Sequence, residues 1–215
     1  MSAIRIRPYT ARDRDAVLRL AADTAFFGEP LERYLEDRQL FCDAMYAYYT
    51  DLEPEHAWVA CADTEVVGFL VGCVDSSVRR RRWFARILPR LAYGVIRGKY
   101  AIGARTRRYS VRVMKAAMAP QPKIDERRYP AHLHLNVDAA WRRRGIGRQL
   151  LDAALDQLRA LHVRGVHLKT TSLNTSAVRL YERAGFRMAD SRPTSQWSGL
   201  VPDPVAKVTY VLDLQ

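Results

Sequence analysis

The sequence predicts an α/β fold, a mixed central sheet of about seven strands flanked by helices. Two observations carry this. Seven short apolar or alternating runs read as strands, and amphipathic helical stretches separate most of them. Their order is strand, helices, hairpin, then strand–helix–strand–helix, then two closing strands. Such an order places one parallel βαβ unit inside an otherwise antiparallel chain.

Each element has a local cause. The stretch IRIRP, Ile4 to Pro8, alternates as a first strand does. Thr10 is placed to cap a helix, with Asp13 at capping-box spacing, and Val17, Leu18, Ala21 and Ala25 mark its buried face. A second helix is expected from Leu31 to about Tyr49, burying Leu35, Leu40, Phe41, Met45 and Tyr48. A hairpin follows: a strand from His56 to Ala62, a polar turn at Asp63–Glu65, and a strand from Val66 to Asp75.

Beyond it, Trp83, Ile87, Leu91 and Val95 recur at helical spacing, and Pro89 should kink or split that helix. Arg107 to Ala117 is a second amphipathic stretch, and APQPKIDERRYP reads as a loop. AHLHLNV, Ala131 to Val137, is a strand. A helix follows from about Gly147 to Leu161, and then GVHLKTT is a strand. Asn174 or Ser172 caps a helix through Ala184, which Gly185 ends. FRMADS and AKVTYVLDL begin the last two strands.

Bulk composition narrows the class. The 215 residues are 48% hydrophobic and 27% charged, as in globular chains. No apolar run approaches the roughly 20 residues that span a bilayer, and Met1 to Pro8 carries no hydrophobic core of a secretory leader. Cys42, Cys61 and Cys73 are far apart and odd in number, which points to reduced thiols and a cytoplasmic setting. The net charge is +12. Residues 76–124 hold 14 Lys and Arg and no Asp or Glu, so the rest of the chain is nearly neutral.

The segment WRRRGIGRQLL, Trp141 to Leu151, joins a strand to a helix through Arg142-x-x-Gly145-x-Gly147. A helix N-terminus offers unpaired N–H groups and the positive end of a dipole, and glycines let a ligand approach the backbone. With Arg142, Arg143, Arg144 and Arg148 around it, this turn is suited to an anion such as a phosphate. It is not a Walker A loop, since no Gly-Lys-Ser/Thr follows. Nor is it the dinucleotide fingerprint, whose third glycine is missing near Leu150.

Taken together, LHLNVDAAWRRRGIGRQLLDAAL and GVHLKTTSLNTSAVRLYERAGF resemble the GCN5-related N-acetyltransferase (GNAT) superfamily. The likeness is close from Tyr129 to Met188 and rests on element order beyond that. The superfamily often has proline where Ala139 stands. The resemblance implies a GNAT-like fold that binds acetyl-coenzyme A as co-substrate. It places the pyrophosphate on the turn from Arg142 through Gly145, Ile146 and Gly147 to Arg148. It also pairs the pantetheine arm with the backbone of Leu135, Asn136 and Val137, as an added strand would pair. Asn174 would bond the arm, and Tyr181 would return a proton to the leaving thiolate.

Acyl transfer to an amine also needs a base. His132 and His134 share a strand face, and His134, nearer the strand's C-terminal half, is the preferred base, directly or through water. Many members of the superfamily use a glutamate, but this strand has none. His167 reads as structural, and no metal site is expected.

The expected protein is therefore a single N-acetyltransferase-like domain over 1–215, with a basic helical insertion over 76–128. It would acetylate a small-molecule or peptide primary amine by direct transfer in a ternary complex. A non-catalytic acyl-CoA-binding module that docks on a partner or an anionic membrane is the alternative. About 55 residues separate the hairpin from the strand at Ala131, too many for a structureless loop. Three roles stay open for them: a wall of the acceptor pocket, a homodimer element, or a membrane or nucleic-acid contact through residues 79–115.

Overall fold

The computed structural model describes residues 3–202 and 204–215. Met1 and Ser2, the start of the Met1–Pro8 segment considered above, lie outside the described residues. Seven strands form one sheet: β1 (Ile4–Pro8), β2 (Ala57–Ala62), β3 (Glu65–Cys73), β4 (Ala131–Val137), β5 (Gly165–Thr171), β6 (Arg187–Thr194) and β7 (Val205–Asp213). Their order is β1-β2-β3-β4-β5-β7-β6, and only β4 and β5 run parallel. The helix between those two strands is α7 (Ile146–Ala160), as the βαβ reading requires.

Both faces of the sheet are covered. On one, α1 (Arg14–Asp23) sets Val17 and Ala21 against Val59, Phe69 and Val71. The chain enters α1 through the expected capping box of Thr10 and Asp13, which forms a short 3-10 turn. On the other face, α7 buries Leu150, Leu151, Leu155 and Leu158 against Leu70, Leu133 and Leu168. There α8 (Thr175–Arg183) adds Tyr181. A third cluster joins Phe26, Leu31 and Tyr34 to Trp197, which precedes β7.

The helix expected from Leu31 to Tyr49 is broken into three. A 3-10 turn covers Leu31–Arg33, then come α2 (Arg38–Met45) and α3 (Ala47–Asp51). Asp37 starts α2 afresh by accepting the Leu40 amide at 2.6 Å. Met45 is exposed rather than buried. The β3 strand ends at Cys73, because Asp75 instead caps α4 (Ser76–Arg82) by accepting from Ser77 and Val78.

Pro89 does not split the chain. A π-helical turn at Trp83–Ile87 leads into α5 (Leu88–Ile96), with the Leu88 amide donating to the Trp83 carbonyl. The wider turn removes the bond that a proline cannot make. Ile87 and Leu91 are buried, whereas Val95 faces solvent. Helix α6 (Ala104–Met118) runs slightly beyond the expected stretch at both ends. Its Tyr109 packs against Tyr34, the rings tilted with centroids 4.4 Å apart.

Candidate active site

Strand β4 is paired from His132 to Val137 on one edge only. Gly68 to Cys73 of β3 oppose Val137 to His132. On the other edge the parallel ladder to β5 covers just Ala131↔Val166 and His132↔His167. From Leu133 onward β4 has no ladder partner on that side, so its backbone groups there are free to pair with an extended ligand.

At the end of β4, Asp138 accepts the Ala140 amide and turns the chain into the loop before α7. Arg143 and Gly145 both adopt left-handed backbone, at φ 61° and 76°. Gly145 is the residue that begins α7, and no side chain caps that helix. Among the described residues, no acceptor takes the amide hydrogens of Ile146, Gly147 or Arg148. A Cβ on Gly147 would sit 3.2 Å from Leu180 Cδ2 and 3.6 Å from Leu135 Cδ2, so glycine lets α7 approach both β4 and α8. The turn therefore presents bare amides at a dipole's positive end, beside an unpaired strand edge. That geometry fits a chain carrying a phosphate at one end and amides along its length.

The four arginines are not equivalent. Arg142 donates to the carbonyls of Val137 at 3.1 Å and Gly28 at 2.9 Å, tying β4 to the loop after α1. It also uses one lone pair of a Val137 carbonyl expected to face the ligand. Arg148 is held by Asp152 and by the Arg183 carbonyl that ends α8. Arg144 stacks on Trp141, its guanidinium 4.6 Å from the ring centroid. Arg143 is exposed and makes no ion pair among the described residues. Free positive charge at the turn thus comes from Arg143 and Arg144.

Asn174 starts α8, its side-chain oxygen accepting from Ala177 at 3.2 Å and Ser176 at 3.1 Å. Its amide nitrogen keeps its donors. Tyr181 is buried between Phe186 and Tyr210. Its hydroxyl makes no hydrogen bond, yet it is not among the fully enclosed polar atoms. Burial pushes its pKa up to about 12, so it stays protonated at neutral pH.

His132 and His134 do share a face, with ring centroids 4.5 Å apart. His132 stacks on His167 at 4.9 Å, and His167 Nδ1 lies 2.9 Å from the Tyr129 carbonyl oxygen. Burial lowers all three: His132 well below the ordinary value, His134 to about 3 and His167 to about 4. Arg79 and Lys169 add repulsion against a proton on His134. His134 is thus a neutral imidazole, able to accept a proton but holding it weakly. Among the described residues no cluster of His, Cys, Asp and Glu could hold a metal ion.

Several neighbours escaped the sequence. Tyr49 meets His134 edge-on at 5.4 Å, and its hydroxyl stands 3.5 Å from His132 Nδ1. Tyr46 lies 6.1 Å from the His134 ring, and its hydroxyl reaches Asn136 at 3.5 Å. Asn136 in turn donates to Thr24 at 2.7 Å. Glu53 is buried, accepting from the Tyr48 hydroxyl and from the Val74 amide at 3.5 Å. The aromatic run YAYY was the one sequence signal for this wall.

A family model described as the acetyltransferase (GNAT) family matches residues 113–186, about a third of the chain. The crystal structure of SsHAT superposes with a TM-score of 0.72 over 99% of both chains, at 27% identity. Residues 113–186 thus match the GNAT family, and the chain as a whole has the fold of such proteins. Its curated relatives match over shorter stretches. The [ribosomal protein bS18]-alanine N-acetyltransferase of Salmonella typhimurium is 37% identical over 29% of this chain and 45% of its own. Mycothiol acetyltransferase of Propionibacterium freudenreichii is 39% identical over 26% of this chain and 18% of its own. The matched segments thus span less than half the length of either relative. Two more distant structures of this fold, 15% and 17% identical, hold acetyl-CoA and CoA.

Proposed function

We propose that this chain is a GNAT enzyme that transfers an acetyl group from acetyl-coenzyme A to a primary amine, directly and within a ternary complex. The observation that carries the proposal is the pairing of two unsatisfied backbone surfaces. Bare amides begin α7 at Gly145, and the adjoining edge of β4 from Leu133 onward is unpaired on the β5 side. When bound, acetyl-coenzyme A supplies an activated acetyl thioester.

The chain's residues have separate tasks. The amides of Ile146, Gly147 and Arg148, with Arg143 and Arg144 nearby, bind the pyrophosphate. The backbone of Leu135, Asn136 and Val137 orients the pantetheine arm, and the Asn174 amide nitrogen bonds it from the other side. His134, or a water it holds, accepts the proton that the amine loses as the C–N bond forms. Tyr181 gives its proton to the sulfur as the C–S bond breaks, and regains one from solvent. The acceptor is a small-molecule amine or a peptide, the latter supported by the bS18-alanine relative.

Calorimetric titration with acetyl-coenzyme A, repeated on Gly145→Asp, tests the proposal. The wild type should bind saturably. The variant should lose about tenfold or more in affinity, because a carboxylate replaces the anion and a left-handed residue gains a side chain. A folded wild type that does not bind would refute it.

A further inference from the structure

The segment between β3 and β4 has an outward surface that acyl transfer does not explain. Thirteen large apolar side chains are exposed among the described residues, and ten of them lie between Phe84 and Met118. Exposed apolar groups gathered in this way mark a contact surface. On α6, Val111, Met114 and Met118 fall at i, i+3 and i+7, flanked by exposed Arg107 and Lys115. The buried residues of that helix, Thr106 and Ala116, lie on the opposite side. The apolar stripe therefore points away from the protein.

The helical run from α4 to α5 repeats the pattern. Only a narrow line through Trp83, Ile87, Leu91 and Gly94 packs inward, with the Trp83 indole donating to the Ala44 carbonyl at 2.9 Å. Phe84, Leu88, Val95 and Ile96 face solvent among Arg81, Arg82, Arg86, Arg90 and Arg97. Across the whole segment only Arg80, Lys99 and Arg105 pair with a carboxylate among the described residues.

We propose that α4, α5 and α6 form a docking surface for an anionic phospholipid membrane, lying on it without crossing it. Charge complementarity selects this occupant. A second copy of the chain is disfavoured, because a two-fold interface would set helices that carry many arginines and no acidic residue of their own against themselves. Nucleic acid would meet the arginines but not the aliphatic side chains, since it is held by phosphate contacts and by stacking on aromatic rings. Phe84 and Tyr93 are the exposed rings of this surface, whereas Leu88, Val95, Ile96, Ile102, Val111, Val113, Met114 and Met118 offer none. A bilayer surface accepts both: apolar groups enter the headgroup–acyl boundary while the guanidinium groups stay at anionic headgroups. No described helix is long and apolar enough to cross a membrane.

The test is co-sedimentation of the full chain with extruded vesicles of phosphatidylcholine, with or without about 30% phosphatidylglycerol. The proposal expects binding to the anionic vesicles alone, weakened at least about tenfold when salt rises from about 0.05 to 0.5 M. Ile96→Ser with Met118→Ser should weaken anionic-vesicle binding about tenfold or more. Those side chains are 81% and 84% exposed, so the fold, checked by circular dichroism, should be kept. Arg86→Gln with Arg90→Gln should weaken it too.

Equal binding to both vesicle types, or binding to neither, overturns the proposal. So does anionic binding that is indifferent to the Ile96/Met118 pair; tight binding of a DNA 30-mer by that variant would then identify a plain polyanion surface. A solution dimer that the same pair of substitutions dissociates also overturns it.

Discussion

The three packed histidines of β4 and β5 make a quantitative demand on stability. His132, His134 and His167 have pKa values below the ordinary 6.5, with His134 near 3 and His167 near 4. Below pH 6.5 the unfolded chain takes up three protons that the folded chain refuses. Stability must then fall with pH, by about 1.4 kcal/mol per unit for each histidine. From pH 6.5 to 5.0 the loss is about 1.6 kcal/mol for each of His134 and His167, since the unfolded imidazole is already half protonated at pH 6.5, and His132 adds in the same direction; together this is a large part of a typical domain's 5–15 kcal/mol.

The window isolates them. Asp13, Glu36 and Asp51 are held below the usual carboxylate range, so their contributions are present above that range and are lost only at lower pH. Urea unfolding followed by circular dichroism at pH 7.5, 6.5 and 5.0, at fixed ionic strength, reads the slope. His134→Gln, which cannot titrate, should remove about a third of it. A stability that stays flat from pH 6.5 to 5.0 at constant m-value would refute the reasoning. It would mean that the cluster takes up protons without cost.

Other consequences are as direct. Tyr181→Phe should lower kcat by about 10²-fold while acetyl-coenzyme A affinity stays within about twofold, because the ring packing remains and only the proton is lost; stopped-flow thiol release and calorimetry separate the two. Gly147→Val should destabilise the protein by about 1–3 kcal/mol in urea melts, since its side chain must displace Leu180 and Leu135. Leu150→Ala should cost about 3 kcal/mol, because Leu150 is fully buried at the centre of the α7 face, and the same melts read that loss.

The sequence revealed most where a period and a partner were local. The bounds of β4 and β5 could be read because short apolar runs ended at turn residues. The capping box at Thr10 and Asp13, the cap at Asn174 and the stop at Gly185 were legible for the same reason. Errors arose where a tertiary contact outweighed the pattern. Asp37 restarts a helix inside a stretch of helical period while its other oxygen accepts the Ala101 amide from 64 residues away. Pro89 was expected to kink or split a helix; the helix is not split, and a π turn at Trp83–Ile87 accommodates the proline. Arg142 looked like one of four equal phosphate ligands, yet it is engaged by Gly28, 114 residues distant, which no spacing rule could reveal.

The deepest constraint on the proposed chemistry also lies beyond the sequence. His134 packs with Tyr46 and Tyr49 on the α1 face of the sheet, whereas Tyr181 packs with Phe186 and Tyr210 on the α7 face. In a closed sheet the strand backbones would separate such a base from such an acid. Here the ladder between β4 and β5 stops after His132↔His167. The opening beyond it is where one ligand can meet both faces at once. The same opening leaves the β4 backbone unpaired and leads toward the bare amides at Gly145. In the proposed reaction, proton acceptance, proton donation and binding of the acyl carrier would therefore depend on a single feature, the early end of one parallel ladder. The reacting carbon would then lie between the strands rather than on either face.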